Sequence, residues 1–212
     1  MLKKKLLECE FTALDLETTG LDPTQNEIIE IAAIRFNKKG ILGTFNHIIK
    51  PIKPIFAENE ALKVNGITLE MLENGFDLDE ILPTFENFIA NSCLVIQNAE
   101  FDLGFLHTQF KKRQKNLPTL PVFCTLNLAR KLFPDFKKYG LVKLRKEFKI
   151  EKYDTTTKRQ NFHEALDDSY ACMKVFLEIM KRLKWKSSVE DSIFHHKNFK
   201  ITDDYLTQNW LF

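Results

Sequence analysis

Two carboxylates within an apolar segment are the first sign of chemistry in this sequence. The segment 11–17 predicts a buried strand and carries Asp15 and Glu17. Because alternate side chains leave a strand on the same face, both carboxylates are expected to point the same way. They repel each other and lose hydration there, so either their pKa values rise or a cation lies between them. By itself, such a pair is weak evidence for a metal site.

Two further acids fall on predicted helices. Asp102 lies in the first turn of a helix predicted over residues 99–112, where an acid commonly complements the helix dipole. Asp168 lies at the edge of the apolar stripe of a helix predicted over residues 162–184, where an unpaired acid is costly. We expect no lysine or arginine within one turn on that side, and we expect Asp167 to point toward polar surroundings. Asp168 therefore requires a metal or a basic partner.

A histidine five residues before Asp168 is the candidate general base. In one continuous helix, residues five apart point about 140° away from each other. Joint action of His163 and Asp168 therefore requires His163 to lie at the frayed start of the helix or in the preceding loop. A lone histidine near a helix start is usually a surface residue, so this interpretation depends on the acids.

These five residues together fit the hydrolysis of a phosphodiester. That reaction needs a nucleophilic water and neutralisation of a charged transition state, which two divalent ions about 3.5–4 Å apart provide. Mg²⁺ and Mn²⁺ prefer oxygen ligands, which four carboxylates supply. A histidine with an intrinsic pKa of about 6.5 can accept the proton of the water.

The elements that must position these residues alternate between strands and helices. The apolar segments predict an opening run of three strands, with a hairpin turn at Asn37–Gly40, and two later strands separated by helices. The predicted strands are 11–17, 28–36, 41–49, 93–97 and 121–125, and the predicted helices are 58–65, 77–91, 99–112, 126–132, 140–148 and 162–184. Asn161 and Glu164 resemble a capping pair for the last helix. The pattern predicts an α/β fold.

Composition narrows the classes of protein. The 212 residues suffice for one domain with a substantial core and a short appendage. No apolar run approaches the roughly 20 residues that cross a bilayer, and Glu8 and Glu10 interrupt any secretory signal, so we expect a cytoplasmic protein without membrane contact. The four cysteines lack the spacing of a zinc site or a disulfide framework and are expected to be buried thiols.

The net charge of +2 conceals a strong asymmetry along the chain. Residues 1–106 carry a net charge of −8, whereas residues 107–152 carry +10. A basic segment beside an acidic half suits a protein that binds phosphates near metal-binding carboxylates, with Lys143, Arg145 and Lys146 as candidate phosphate contacts. The alternative is a solvated basic face of two helices, and charge alone favours that alternative.

Three motifs resemble those of the DEDDh family of 3′→5′ exonucleases. They are Asp15-Leu-Glu-Thr-Thr-Gly20, Asn98-Ala-Glu-Phe-Asp102 and His163-Glu-Ala-Leu-Asp-Asp168. In order and spacing they are most similar to the proofreading epsilon subunits of bacterial DNA polymerase III. The resemblance covers roughly residues 10–185. It implies a ribonuclease H-like fold with a five-stranded mixed sheet, antiparallel over its first three strands and then parallel, flanked by helices.

The resemblance also implies roles for individual residues. Asp15 would bridge two divalent cations, Mg²⁺ or Mn²⁺, with Glu17 and Asp168 completing the water-binding site and Asp102 holding the second cation. His163 would be the general base. The implied substrate is the 3′ end of single-stranded DNA, with Thr18 touching its terminal nucleotide and Asn98 and Phe101 lining its groove.

The sequence departs from the family pattern at three places outside these roles. Gln97 replaces a histidine common before the second motif, Asn65 replaces the histidine of a His-Gly-Ile-Thr loop, and Cys124 precedes Thr125 where relatives have an aspartate. No metal ligand and no base is lost. The departures leave details of the substrate groove and the sugar preference open.

Two other functions remain open on the sequence. An exoribonuclease would carry the same motifs, because discrimination of RNA from DNA depends on contacts to the 2′-hydroxyl. A catalytically silent module that recruits a partner to DNA is the other alternative, and the intact set of acids argues against it.

The last residues suggest a partner-binding segment. We expect residues 1–186 to form the exonuclease domain and residues 187–212 to form a tail that ends in Gln208-Asn-Trp-Leu-Phe212. These five residues resemble the short motif with which bacterial replication proteins bind the sliding clamp, with Gln208, Leu211 and Phe212 as contacts. The alternative is that the tail folds back onto the domain. A replicative polymerase is the other expected partner.

Overall fold

The computed structural model describes residues 5–57, 59–154, 159 and 163–183. The predicted tail, residues 187–212, lies outside the described residues, as does the predicted capping residue Asn161.

Five strands form one mixed sheet in the order β3-β2-β1-β4-β5. They are β1 (Phe11–Thr18), β2 (Ile28–Asn37), β3 (Gly40–Ile48), β4 (Cys93–Ile96) and β5 (Val122–Cys124). β2 pairs antiparallel with both β1 and β3, whereas β4 pairs parallel with both β1 and β5. The predicted sheet, antiparallel over its first three strands and then parallel, is confirmed.

Helices cover both faces of the sheet. They are α1 (Glu60–Asn65), α2 (Leu69–Glu73), α3 (Leu78–Ile89), α4 (Ala99–Lys112), α5 (Thr125–Leu132), α6 (Leu141–Glu147) and α7 (Ala165–Leu183). The short α2 was not predicted; Thr68 begins it by accepting a hydrogen bond from the Met71 amide. α7 begins at Ala165, three residues later than predicted.

Alternating side chains of the strands divide the core in two. Phe11, Ala13 and Val95 pack with α5, α6 and α7, where the Phe11 ring lies 4.9 Å from that of Phe176. Leu14 and Ile96 pack on the opposite face with α3 and α4. This division decides the face of each functional side chain, because Asp15 and Glu17 share the parity of Ala13 and so point toward α7.

The four cysteines are buried and reduced, as predicted. Within the described residues, no helix is both long enough and apolar enough to span a bilayer.

Candidate active site

The acidic residues meet at the carboxyl ends of two parallel strands. β1 and β4 lie side by side in a register that pairs Leu14 with Ile96, so the residues that follow in each strand reach the same edge of the sheet. Asp15 and Glu17 lie at this end of β1, and α4 begins just beyond β4 and carries Asp102 in its first turn. The first turn of α7 brings Asp168 to the same place.

Three of the predicted ligands form a compact cluster. One carboxylate oxygen from each of Asp15, Glu17 and Asp168 lies within 4.8 Å of the other two. All three residues are partly buried. Such a set of oxygen donors matches the preference of Mg²⁺ or Mn²⁺, and the mutual repulsion of the carboxylates provides a reason for a cation to bind.

Asp102 lies beside this cluster and is fixed by the backbone of β1. Its Oδ1 accepts a hydrogen bond of 3.1 Å from the Leu16 amide, and only 3% of the residue is exposed. Its negative charge acts on Asp15 across the gap between β4 and β1. The structure therefore brings all four acids to one site, with Asp102 tethered at its edge.

The electrostatics of Asp15, Glu17 and Asp102 favour protonation when no cation is bound. Burial, and then the charge of Asp102, raise the pKa of Asp15 well above its usual value. Burial and the nearby charge of Glu30 raise the pKa of Glu17 to about 8, and burial raises that of Asp102 to about 8. A divalent cation would reverse these shifts, because it favours the charged form of each ligand.

His163 lies in the segment before α7, as joint action with Asp168 requires. Its Nδ1 lies 2.8 Å from Oδ2 of Asp168, and its amide donates a hydrogen bond of 3.2 Å to the Val64 carbonyl. The imidazole is half exposed. The hydrogen bond to Asp168 raises the pKa of His163 above its usual value. The histidine is thus accessible to solvent and already in contact with a predicted ligand.

The three predicted substrate-binding residues surround the same edge of the sheet. Thr18 ends β1, and its hydroxyl donates a hydrogen bond of 2.7 Å to the Gly20 carbonyl. Asn98 is exposed and adopts a left-handed conformation, with φ of 56°, between β4 and α4. Phe101 is partly buried, and its ring lies 5.0 Å from that of Phe105.

Comparison with known proteins agrees with this arrangement. The exonuclease family model RNase_T matches residues 12–176. The chain belongs to this exonuclease family. PolC-type DNA polymerase III of Halalkalibacterium halodurans is 34% identical over 191 residues, which cover 90% of this chain and 12% of the relative, and that of Thermotoga petrophila is 36% identical over 195 residues, which cover 92% and 13%. The chain thus spans about an eighth of the length of these curated relatives.

Solved exonuclease structures share the fold. Exonuclease X, determined in complex with 5′ overhanging duplex DNA, superposes with a TM-score of 0.63 at 26% identity, covering 85% of this chain and 98% of its own. Exonuclease I without ligand superposes with a TM-score of 0.71 at 18% identity, covering 94% of this chain and 46% of its own, and shows the fold alone. The predicted ribonuclease H-like fold is confirmed.

Arg145, a candidate phosphate contact, is held in an ion pair in this exonuclease-family chain. Asp167 is buried in the predicted polar surroundings, where it accepts hydrogen bonds of 2.6 and 3.1 Å from both terminal nitrogens of Arg145 and one of 2.7 Å from the Tyr153 amide. Arg145 also lies 3.9 Å from Asp168, so a basic partner from α6 does approach that ligand. Arg145 is therefore a structural ion-pair partner, and Lys143 is paired with Glu147.

Sequence reasoning also missed a buried ion pair behind the site. Glu30 on β2 is fully buried, and its Oε1 accepts a hydrogen bond of 2.6 Å from Arg159. The other terminal nitrogen of Arg159 donates to the Asn65 carbonyl, and Oε2 of Glu30 accepts a weaker bond of 3.4 Å from the Ala165 amide. Glu30 is an acid within an otherwise apolar strand, and that signal was available in the sequence.

Proposed function

We propose that this chain is a 3′→5′ exonuclease that hydrolyses phosphodiester bonds at DNA 3′ ends and releases nucleoside 5′-monophosphates. The observation that carries the proposal is the cluster of Asp15, Glu17 and Asp168, whose oxygens lie within 4.8 Å of one another while His163 contacts the third of them. A charged cluster at the open edge of a sheet, joined to a half-exposed histidine, suits cation-assisted hydrolysis.

Asp15, Glu17, Asp102 and Asp168 would hold two divalent cations, Mg²⁺ or Mn²⁺, and the cluster of oxygen donors supports this assignment. Bound there, the cations would supply charge neutralisation and a more acidic water. Asp15 lies centrally, since the charges of Asp102, Asp168 and Glu17 all act on it. The Leu16 amide orients the carboxylate of Asp102 beside the other acids.

His163 would accept the proton of the attacking water on an imidazole nitrogen. In the absence of a cation its Nδ1 shares a proton with Asp168, which favours the charged ring. A cation bound by Asp168 competes for the same carboxylate and favours the neutral, proton-accepting ring. Thr18, Asn98 and Phe101 would hold the terminal nucleotide at the edge that they border.

The comparisons support DNA as the substrate and replication as the setting. The curated relatives are replicative polymerases by name, and Exonuclease X was determined with DNA. We therefore assign a proofreading role beside a replicative polymerase, comparable to that of an epsilon subunit, which would place the protein in the cytoplasm. The segment Gln208–Phe212 would add contact with the sliding clamp through Gln208, Leu211 and Phe212.

The test uses single-stranded DNA labelled at its 5′ end. In Mg²⁺ the chain should produce a ladder that shortens stepwise from the 3′ end, while the same strand labelled at its 3′ end should release labelled mononucleotide at once. Asp15→Asn and Asp168→Asn should abolish cleavage, and His163→Ala should slow it by roughly 10²–10⁴, the range of general base catalysis.

Control measurements distinguish the exonuclease from the alternative functions. A matched RNA strand cut faster than the DNA strand would favour the exoribonuclease. Near-normal activity of Asp15→Asn would show that the cluster is not the catalytic site, and binding without any cleavage in Mg²⁺ or Mn²⁺ would identify a silent module.

A further inference from the structure

A turn with two adjacent lysines lies beside the candidate active site. Lys137 and Lys138 are exposed between Phe136 and Tyr139, in the loop that joins α5 to α6. This loop belongs to the basic segment of the chain. Arg145 and Lys143 of that segment are both in ion pairs, so their charges are already engaged. The lysine turn keeps its charge available, since within the part of the chain that the structure describes neither lysine forms an ion pair with a carboxylate.

Packing holds both ends of the lysine turn. The Phe136 ring lies 5.2 Å from that of Phe133 and 5.7 Å from that of Phe148. The Tyr139 hydroxyl donates a hydrogen bond of 2.9 Å to the Phe133 carbonyl. With its aromatic neighbours packed against the core, the pair of lysines projects from a fixed base.

The side chain of Gln97 ties this base to the edge of the sheet. Its Nε2 donates a hydrogen bond of 2.9 Å to the Tyr139 carbonyl, while its Oε1 accepts one of 2.6 Å from the Thr125 hydroxyl. Both functions of the amide are therefore used, and the contact joins positions 42 residues apart. The amide of Gln97 thus joins the loop between α5 and α6 to the end of β4.

The same residue relates the turn to the catalytic acids. Gln97 follows Ile96, which pairs with Leu14, so Gln97 stands level with Asp15 on the neighbouring parallel strand. It also shares the parity of Val95, whose side chain packs on the α7 face to which Asp15 points. Neighbouring strands lie about 4.8 Å apart, and the Gln97 side chain with its hydrogen bond spans the remaining distance to Tyr139. The Tyr139 carbonyl is therefore on the order of 10 Å from the acids.

We propose that the lysine turn, Lys137–Lys138, binds phosphates of the DNA strand upstream of the bond that is cut, and that Gln97 positions it. This rests on the proposed function. Two ammonium groups on flexible stems, anchored one or two nucleotide spacings from a cluster that takes the terminal phosphodiester, match a backbone that continues past the site. Contacts to phosphate carry no sequence information, which suits an enzyme that acts on any 3′ end.

The chain offers a matched control for this proposal. Lys38 and Lys39 form another exposed lysine pair, at the hairpin between β2 and β3. This hairpin lies near the start of β1, where Phe11 pairs with Phe36, and so at the opposite edge of the sheet. The length of β1 separates the two edges by on the order of 20 Å, at about 3.3 Å per residue.

The experiment compares two double variants. One combines Lys137→Ser with Lys138→Ser, and the control combines Lys38→Ser with Lys39→Ser. Affinity for a fluorescent single-stranded DNA is measured by anisotropy in EDTA over a range of salt concentrations, so no cleavage is needed. Loss of two phosphate contacts should lower the slope of log affinity against log salt by roughly 1.4, at about 0.7 for each contact with a single strand. The control pair should keep the wild-type slope.

In Mg²⁺, the Lys137–Lys138 variant should raise KM with little change in kcat. Gln97→Leu, which keeps the charge but removes the bridge, should weaken binding by an intermediate amount. The proposal would be overturned if both double variants lost DNA affinity equally or if the Lys137–Lys138 variant kept the wild-type salt slope. It would also be overturned if the wild-type chain did not bind DNA. Failure of the wild-type chain to cleave would instead overturn the proposed function, while the anisotropy comparison would still decide the lysine turn.

Discussion

At the scale of single residues, the site is a group of acids held close together against their own repulsion. Asp15, Glu17 and Asp102 each have a pKa raised chiefly by burial. Such a group destabilises the metal-free fold whenever its members are ionised, and a cation removes that penalty. The carboxylates that would bind a cation therefore lower the stability of the fold when no cation is present.

A pH dependence of stability follows from these shifts. The folded pKa values of Glu17 and Asp102, about 8, lie above those of unfolded carboxyls, so the folded state binds more protons in the interval between them. The free energy of unfolding in EDTA should therefore fall as pH rises from about 4 to about 8, the interval bounded by the unfolded and folded values. Thermal melting across this range measures it.

Two comparisons check the origin of this dependence. Excess Mg²⁺ should flatten the profile, because it stabilises the ionised carboxylates. Asp15→Asn should raise the melting temperature in EDTA at pH 8 while it abolishes cleavage. A melting temperature that increases steadily with pH in EDTA would contradict the raised pKa values.

At the scale of elements, β2 contacts residues on both sides of His163, the proposed general base, before α7. Arg159 precedes His163 and Ala165 follows it, and both contact the carboxylate of Glu30. The His163 amide is held in addition by the end of α1 through the Val64 carbonyl. One buried carboxylate thus fixes both ends of the histidine segment.

Breaking this ion pair should affect both stability and catalysis. Arg159→Met leaves Glu30 charged and unpaired in the core, which should lower the free energy of unfolding by about 3–5 kcal/mol. Adding Glu30→Gln should restore part of that loss. If the pair positions His163, kcat should stay low in the double variant, by up to roughly 100-fold, with KM unchanged. Urea unfolding and steady-state kinetics measure the two effects.

An exposed ion pair provides the control. Glu60→Gln removes the partner of Lys63 on the surface of α1, and such pairs are worth about 1 kcal/mol or less. This variant should change neither kcat nor stability appreciably. Recovery of normal kcat in the Glu30→Gln, Arg159→Met protein would show that the buried pair supports the fold without positioning the histidine.

At the scale of the whole molecule, the proposed function would require the candidate active site to work beside partners that deliver a 3′ end. The acids, the histidine segment and the lysine turn all lie at the carboxyl ends of β1 and β4. The segment Gln208–Phe212 lies outside the described residues, and its contact with a clamp remains a proposal. Leu211 and Phe212 would each contribute roughly 1.5–3 kcal/mol if buried in a partner, which ordering of the segment then reduces.

Deletion of residues 208–212 separates docking from folding. If the segment binds the clamp, deletion should abolish clamp binding, measured by surface plasmon resonance, and leave the melting temperature unchanged. Cleavage of free single-stranded DNA should also be unchanged, which serves as the internal control. A melting temperature lower by several degrees, together with no clamp binding by the intact chain, would mean that the segment packs on the domain.

The sequence by itself determined the sheet, the family and the set of candidate ligands. Strand periodicity decides that Asp15 and Glu17 share a face, and this depends only on residues close together in the chain. The requirement that His163 lie before its helix was likewise a matter of local geometry, and α7 begins two residues after it. The order of three spaced motifs was enough to indicate the family.

Only the tertiary structure decided which polar and charged side chains near the site are paired with one another. Arg145 with Asp167, and Glu30 with Arg159, join positions 22 and 129 residues apart, and Gln97 reaches Tyr139 across 42. Local periodicity carries no information about such pairs, because a long side chain finds its partner only after separate elements have packed. The sequence left Arg145 as either a candidate phosphate contact or part of a solvated helix face, whereas packing paired it with a buried carboxylate and left the lysine turn exposed.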